Sequence, residues 1–171
     1  LRQIELPQPV MPGWSLAADG ATLLAELTGP LAPRGLWVVS LDSDDPPVQL
    51  PSAPRRPDVG VLVTPVRHEY AAFDGLALSG WLYRPPGVTG PNRTVVSFHG
   101  GPEGCERPAY SPVAQGLVAA GFTVFAPNVR GSGGFGRAFT TCDDGAAREA
   151  SFDDVRATVE ELVTAGIAEP G

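Results

Sequence analysis

The β-branched run Thr94-Val95-Val96-Ser97-Phe98 leads directly into His99-Gly100-Gly101-Pro102, and a second apolar run, Phe122-Thr123-Val124-Phe125-Ala126, follows it. Between the two, Ser111-Pro112 opens a helix: a serine accepts a bond from an orphan amide, and proline is tolerated at the first helical position. Val113, Leu117 and Val118 fall on one helical face, and Gly121 closes the C-terminus. Strand, helix and strand within about 35 residues form a βαβ unit, which requires a parallel sheet. The fold class is therefore α/β. At the end of the first strand, Gly100 and Gly101 carry no Cβ, so their backbone N–H groups can turn toward an incoming oxygen without steric cost.

The pattern continues downstream. Asn128-Val129-Arg130-Gly131-Ser132-Gly133-Gly134-Phe135-Gly136 follows the second strand as a glycine-rich loop. Ser151 with Asp154 three residues on reads as a capping box. Its helix carries Val155, Val159, Leu162 and Val163 on one stripe and ends at Gly166. Upstream, Val66–Phe73 and Leu76–Tyr83 read as a hairpin with Asp74-Gly75 at the turn. The Pro-rich run 51–57 can continue neither a helix nor a central strand and marks a linker. Before it lie short strand-like pieces at 22–27, 35–41 and 48–50, separated by Asp19-Gly20, Gly29-Pro30 and the stretch 42–47. That rhythm suits one four-stranded propeller blade, although any meander reads the same way.

Composition narrows the function classes. All twelve basic residues are Arg, and the formal net charge is −7. Nucleic acid and anionic membrane both demand basic patches, so neither is an expected partner. No apolar run approaches the roughly 20 residues of a membrane span. Two cysteines, Cys105 and Cys142, are too few for a disulfide framework. With no signal-peptide pattern at the N-terminus, free thiols and a cytoplasmic location are the expectation. Asn92-Arg93-Thr94 satisfies a glycosylation sequon that carries little weight without a secretion signal.

Taken in order, His99-Gly-Gly-Pro102, Asn128-Val-Arg-Gly-Ser132, Gly134-Phe-Gly136 and Asp153-Asp154-Val155 closely resemble the prolyl oligopeptidase family, especially its acylaminoacyl-peptidase and dipeptidyl-aminopeptidase branches. The resemblance covers roughly residues 58–171. Val129 and Gly134 depart mildly from it, since many members carry an aromatic there. It implies a serine peptidase with an N-terminal β-propeller and a C-terminal α/β-hydrolase domain. Residues 1–57 would then be the last blade and linker, and 58–171 the front part of the hydrolase domain. A His-Gly-Gly segment after a central strand supplies one donor of an oxyanion hole in such folds, assigned to the N–H of Gly101 or, alternatively, Gly100. The serine elbow, acid and histidine of the triad follow in that chain order, so all three are expected beyond Gly171. The chain as written is expected to be inactive alone. The resemblance implies a peptide substrate, no cofactor and no metal, with the remainder of the same polypeptide as a partner. His99, Asn128, Arg130 and Asp154 are read as structural residues near the site. Arg130 is read as an ion-pair partner of Asp153 or Asp154, which would pin the glycine-rich loop.

Several patterns invite other readings. Gly131-x-Gly133-x-x-Gly136 fits a dinucleotide fingerprint, but no acidic residue ends a following strand. Gly13-Trp14-Ser15-Leu16-Ala17 resembles a nucleophile elbow, yet no helix follows Ser15. His68 and His99 both precede the expected serine, which disfavours either as the catalytic base. Asp153-Asp154 lacks His or Cys at ligand spacing. The alternatives to a peptidase are an esterase or other acyl hydrolase on the same fold, and a non-catalytic interaction module.

Overall fold

Two four-stranded sheets divide the chain. The computed structural model describes residues 3–51, 60–101 and 103–170. Apart from Pro51, the Pro-rich run and the boundary at 57/58 lie outside the described residues, as do Pro102 and Gly171. Residues 1–64 with 108–112 make one compact unit, and 65–107 with 113–171 make another.

The first unit is an antiparallel meander of β1 (Val10–Leu16), β2 (Thr22–Gly29), β3 (Ala32–Ser40) and β4 (Val48–Gln49), paired in chain order. β1 has no counterpart among the strands read from sequence, because Pro12 and Gly13 interrupt its pattern. A register shift between Val10 and Gly13 accommodates them. Alternation along β2 and β3 puts Ala25, Leu27 and Val39 into a small core with Ile4, Leu6, Leu23 and Trp37 packed against it. The other face carries an apolar row: Leu24 lies opposite Val38, and Val38 opposite Val48. Leu24 and Val48 in that row are exposed. The β1–β2 turn is closed by Asp19, whose carboxylate accepts the amides of Ala21 and Thr22 and the Thr22 hydroxyl. Those bonds hold the Asp19 carboxyl below the ordinary range.

The second unit holds β5 (Val66–Ala71), β6 (Ala77–Tyr83), β7 (Thr94–Val96) and β8 (Thr123–Asn128) in the order β5-β6-β8-β7. The hairpin is present, with Gly75 at φ 84° in its turn. β7 and β8 are parallel and β6 is antiparallel to β8, so the βαβ unit sits where the sequence places it. Every residue of β8 is buried, as a central strand between two neighbours requires. Gly80 on β6 is needed for that packing, since a Cβ there would lie 2.5 Å from the Phe125 ring. Tyr70, Leu78, Leu82, Phe125, Leu162 and Ile167 build the core.

Two helices depart from their sequence patterns. α1 (Pro112–Ala119) buries Ala114, Gln115 and Val118, while Val113 is 71% exposed. The inward face keeps Val118 but is rotated off Val113 and onto Ala114 and Gln115. Gly121 closes the helix as expected, at φ 90°, with its amide on the Val118 carbonyl. α3 (Glu149–Thr164) begins before Ser151 and after a 3-10 turn at Gly145–Arg148. Ser151 therefore lies inside the helix and donates to the Arg148 carbonyl, and no capping box forms. Its buried face is Asp154, Thr158 and Leu162, whereas Val159 and Val163 are exposed. The cause is polar. Thr158 donates to the Asp154 carbonyl at 2.7 Å and accepts the Tyr70 hydroxyl at 2.7 Å, which turns the satisfied polar edge inward. Burial pushes the Tyr70 hydroxyl pKa up to about 12.

Candidate active site

The carboxyl ends of β7 and β8 carry the two glycine-rich turns, and ligands of open α/β sheets bind outside such strand ends. The turn after β8 is tied down by Arg130, which is 7% exposed. Its Nε and Nη2 donate to the two Asp154 carboxylate oxygens at 3.0 and 2.8 Å, and its backbone amide donates to the same carboxylate at 2.9 Å. Nη1 and Nη2 form a second fork onto Asp74 in the β5–β6 turn, at 3.1 and 3.0 Å. The guanidinium also lies 4.9 Å from the Phe73 ring centroid. Two carboxylates raise the Arg130 pKa further, and the Arg130 guanidinium in turn holds the Asp74 carboxyl below its ordinary range. The Arg130–Asp154 bridge anticipated from the sequence is thus present. Asp153 instead pairs with Arg156 on the surface of α3. Asp74 is the partner that sequence reading missed. As the Asp of an Asp-Gly turn it looked fully explained by turn chemistry.

Gly131 stands against Asp143, whose carboxylate leaves no room for a Cβ. Ser132, fully buried, donates from Oγ to the Val129 carbonyl at 2.6 Å. Its hydroxyl proton is therefore used, and Oγ accepts the Nε2–H of His99 at 2.8 Å. That makes Nε2 the donor and leaves Nδ1 buried and without a hydrogen-bond partner among the described residues. The contact looks like a nucleophile–base pair but cannot act as one, because the hydroxyl is inaccessible and already committed. His99 is a bracket between the two turns. A second link is backbone, Gly133 N–H to the Gly104 carbonyl at 2.9 Å.

The turn after β7 is more open. Gly101 has φ 66° and its carbonyl accepts the Gly104 amide at 3.2 Å. Among the described residues, nothing accepts the N–H of Gly100 or of Gly101. Neither glycine has an atom within 4 Å of where a Cβ would be. Further along, Asn128 clamps the loop: Oδ1 accepts the Glu106 amide at 2.7 Å and Nδ2 donates to the Glu106 carbonyl at 3.1 Å. The Trp81 indole N–H donates to that same carbonyl. The Glu106 carboxyl is pushed up by burial, partly offset by His99. Glu106 was not singled out from sequence, and nothing in its local pattern marks it.

The remaining candidates resolve as follows. His68 pairs with Glu161 at 2.9 Å on the side of α3. Ser15 lies within β1, with no helix after it. The Asn92 side-chain amide donates to the Gly121 carbonyl and to Thr123. Only a four-residue helix, α2 (Arg137–Thr140), follows Gly131–Gly136. No group of three potential metal ligands occurs among the described residues. Cys105 and Cys142 are free thiols. No helix among the described residues is long and apolar enough to cross a membrane.

Known proteins are similar to this chain in sequence and in fold. The peptidase YuxL of Bacillus subtilis (strain 168), itself uncharacterized, is 30% identical over 166 residues, covering 94% of this chain and 24% of its own length. Dipeptidyl peptidase family member 6 of Caenorhabditis elegans is 35% identical over 78 residues, 46% of this chain and 10% of that protein. Among solved structures, the Pyrococcus horikoshii acylaminoacyl peptidase superposes with a TM-score of 0.73 at 22% identity, over 98% of this chain and 26% of its own. A Mycobacterium tuberculosis puromycin-hydrolyzing peptidase gives a TM-score of 0.78 at 24% identity, over 97% and 26%. These superpositions establish a shared α/β fold. The chain spans about a quarter of the length of YuxL and of both structures. Residues 108–171, the segment that holds α1, β8, the Arg130 turn and α3, match the prolyl oligopeptidase family.

Proposed function

We propose that the chain is the front part of the hydrolase domain of a serine peptidase, preceded by one blade of a β-propeller. Residues 1–57 would be that blade with its linker, and 58–171 the start of an α/β-hydrolase sheet. The observation that supports the reading is the pair of amides at Gly100 and Gly101, which have no acceptor among the described residues and follow a parallel strand at its carboxyl end. An oxyanion that forms on a tetrahedral intermediate needs such donors, and losing one typically costs on the order of 2.7–4 kcal/mol. Gly101 is the preferred donor and Gly100 the alternate, while His99, Asn128, Arg130 and Asp154 hold the two turns in place. A triad serine beyond residue 171 would attack the peptide carbonyl as its proton passes to a histidine; the histidine would give that proton to the leaving amine as the C–N bond breaks, and water would then hydrolyse the acyl-enzyme. The substrate would be a short peptide, with no cofactor. The exposed apolar row on β2 and β4 supports the blade, because a propeller blade packs both faces against neighbours. The free thiols support a cytoplasmic setting.

A serine-directed phosphonate tests this. In the longer polypeptide the probe should label one serine beyond residue 171, and the 171-residue chain alone should take no label. Labelling of Ser132 or any other serine of the chain would overturn the reading. Gly101→Pro, which removes the amide, also conflicts with φ 66°, so the cleaner substitution for the alternate donor is Gly100→Pro.

A further inference from the structure

Next to the two turns lies a cavity of about 420 Å³, within the size range of small-molecule sites. Arg67, Trp81, Cys105, Glu106, Arg107 and Phe135 line it, with Asn128 at the end of β8. It opens at the carboxyl end of the parallel strands, where the fold places ligands. Trp81 and Phe135 give it two aromatic walls. Phe135 is also in the wall of a second cavity of about 280 Å³ along β5 and β6, and it sits between Gly134 and Gly136, both at positive φ.

The charges around the cavity are unequal. Arg67 pairs with Glu69 at 3.0 Å, but both side chains are more than half exposed, so that pair is weakly held. Arg107 has no carboxylate partner among the described residues, and neither has Glu106. Burial biases the Glu106 carboxyl toward its neutral form. Two guanidinium groups line the cavity against one acid, and Arg107 is the one without a carboxylate partner among the described residues. The Asn128 side chain is spent on the Glu106 backbone and the Trp81 N–H on its carbonyl, so the rings, the arginines and the Ser79 hydroxyl are left to read a ligand.

We propose that this cavity is a recognition pocket for an aromatic or bulky apolar side chain next to a carboxylate, with the side chain against Trp81 and Phe135 and the carboxylate on Arg107. The C-terminal end of a short peptide has this chemistry. The choice of a peptide-derived ligand rests on the peptidase reading; the pocket's preference for a carboxylate does not. Arg67 contributes less than Arg107, because Glu69 competes for it.

The test is equilibrium binding to the 171-residue chain, read by tryptophan fluorescence, with Trp81→Phe to establish which indole reports. Three probes are compared: N-acetylphenylalanine, its amide, and phenylalanine amide with a free ammonium. The acid should bind about fivefold more tightly than the neutral amide, the upper end of what a partly exposed ion pair contributes. Arg107→Gln should bring the acid down to the amide and leave the amide unchanged, and Phe135→Ala should weaken both. Equal binding of acid and amide overturns the proposal, as does absence of binding by all three. Tighter binding of the ammonium probe, lost in Glu106→Gln, also overturns it and makes the pocket a cation site. None of these results depends on labelling of a serine in the longer polypeptide, so failure of the pocket and failure of the peptidase reading are separate outcomes.

Discussion

The turn after β8 buries a guanidinium and gives it two carboxylates, while the neighbouring turn after β7 leaves the amides of Gly100 and Gly101 without acceptors among the described residues. In the first, Arg130 and Asp154 are 7% and 0% exposed, and every donor on the guanidinium that is named has a partner. In the second, both glycines are exposed with open space beside them. The difference is one of task. Unsatisfied amides are costly inside a protein, so they persist only at a surface or where a ligand will take them. A loop that must keep them aimed needs a stiff neighbour. His99 on Ser132 and Gly133 on the Gly104 carbonyl supply the connection.

The sharpest way to break this comparison is to remove the anchor. Asp154→Ala leaves a buried guanidinium with only the half-exposed Asp74, and breaking a buried ion pair costs about 3–5 kcal/mol. The denaturant midpoint should fall accordingly. A loss below about 1 kcal/mol, the range of exposed pairs, would mean that the turn is not held by its charge.

Next in size is Gly104→Ala. A Cβ there would lie 2.5 Å from the Gly100 carbonyl oxygen and 2.6 Å from His99 Nδ1. Backbone has to shift, and overpacking of this kind costs about 1–3 kcal/mol. Gly100→Ala, with nothing near its Cβ and φ outside the left-handed region, should stay within about 0.5 kcal/mol. The pair of urea midpoints separates a crowded position from an open one within a single loop.

How far the sequence carries this picture depends on what kind of residue decides each element. The βαβ unit was legible because β7, α1 and β8 are bounded by unambiguous punctuation, with Ser111-Pro112 at one helix end and Gly121 at the other. The Arg130–Asp154 bridge was legible because one arginine follows a strand and an acidic pair heads the next helix. The faces of α1 and α3 were not, because apolar periodicity assumes that valines point inward. On α3 the inward positions are Asp154 and Thr158, whose partners Arg130 and Tyr70 are distant in sequence. Buried polar groups with satisfied bonds leave no apolar stripe to read. The same holds for Glu106, held by Asn128 from 22 residues away.

A smaller effect sharpens the link between the turns. Ser132→Ala removes the acceptor of His99 Nε2–H and the donor to the Val129 carbonyl, and leaving these two groups unpaired costs about 1–2 kcal/mol, since His99 and Val129 are themselves only partly buried. Amide exchange gives the informative readout. The Gly133 amide, bonded to the Gly104 carbonyl, should exchange faster, while the Arg130 amide on Asp154 should not. Equal acceleration of both would show that the anchor and the open loop are one unit.

The smallest effect expected is at Asp74, the outer partner of Arg130. Its side chain is 43% exposed, so solvent screens the fork it makes with the guanidinium. Hydrogen bonds from Arg130 and from the Leu76 amide still hold its carboxyl below the ordinary aspartate value. A carboxyl depressed in the folded state contributes stability above its unfolded pKa and loses it as the pH falls through the folded value. Acidification from near pH 4 downward should therefore remove that contribution, and Asp74→Asn should remove it at every pH. The two proteins should differ slightly at neutral pH and converge in acid, while Asp154, fully buried, keeps Arg130 in place in both. Urea midpoints measured across the acid range decide the point. A difference that grows toward low pH reverses the sign and would mean that Asp74 is protonated more readily in the folded chain than in the unfolded one.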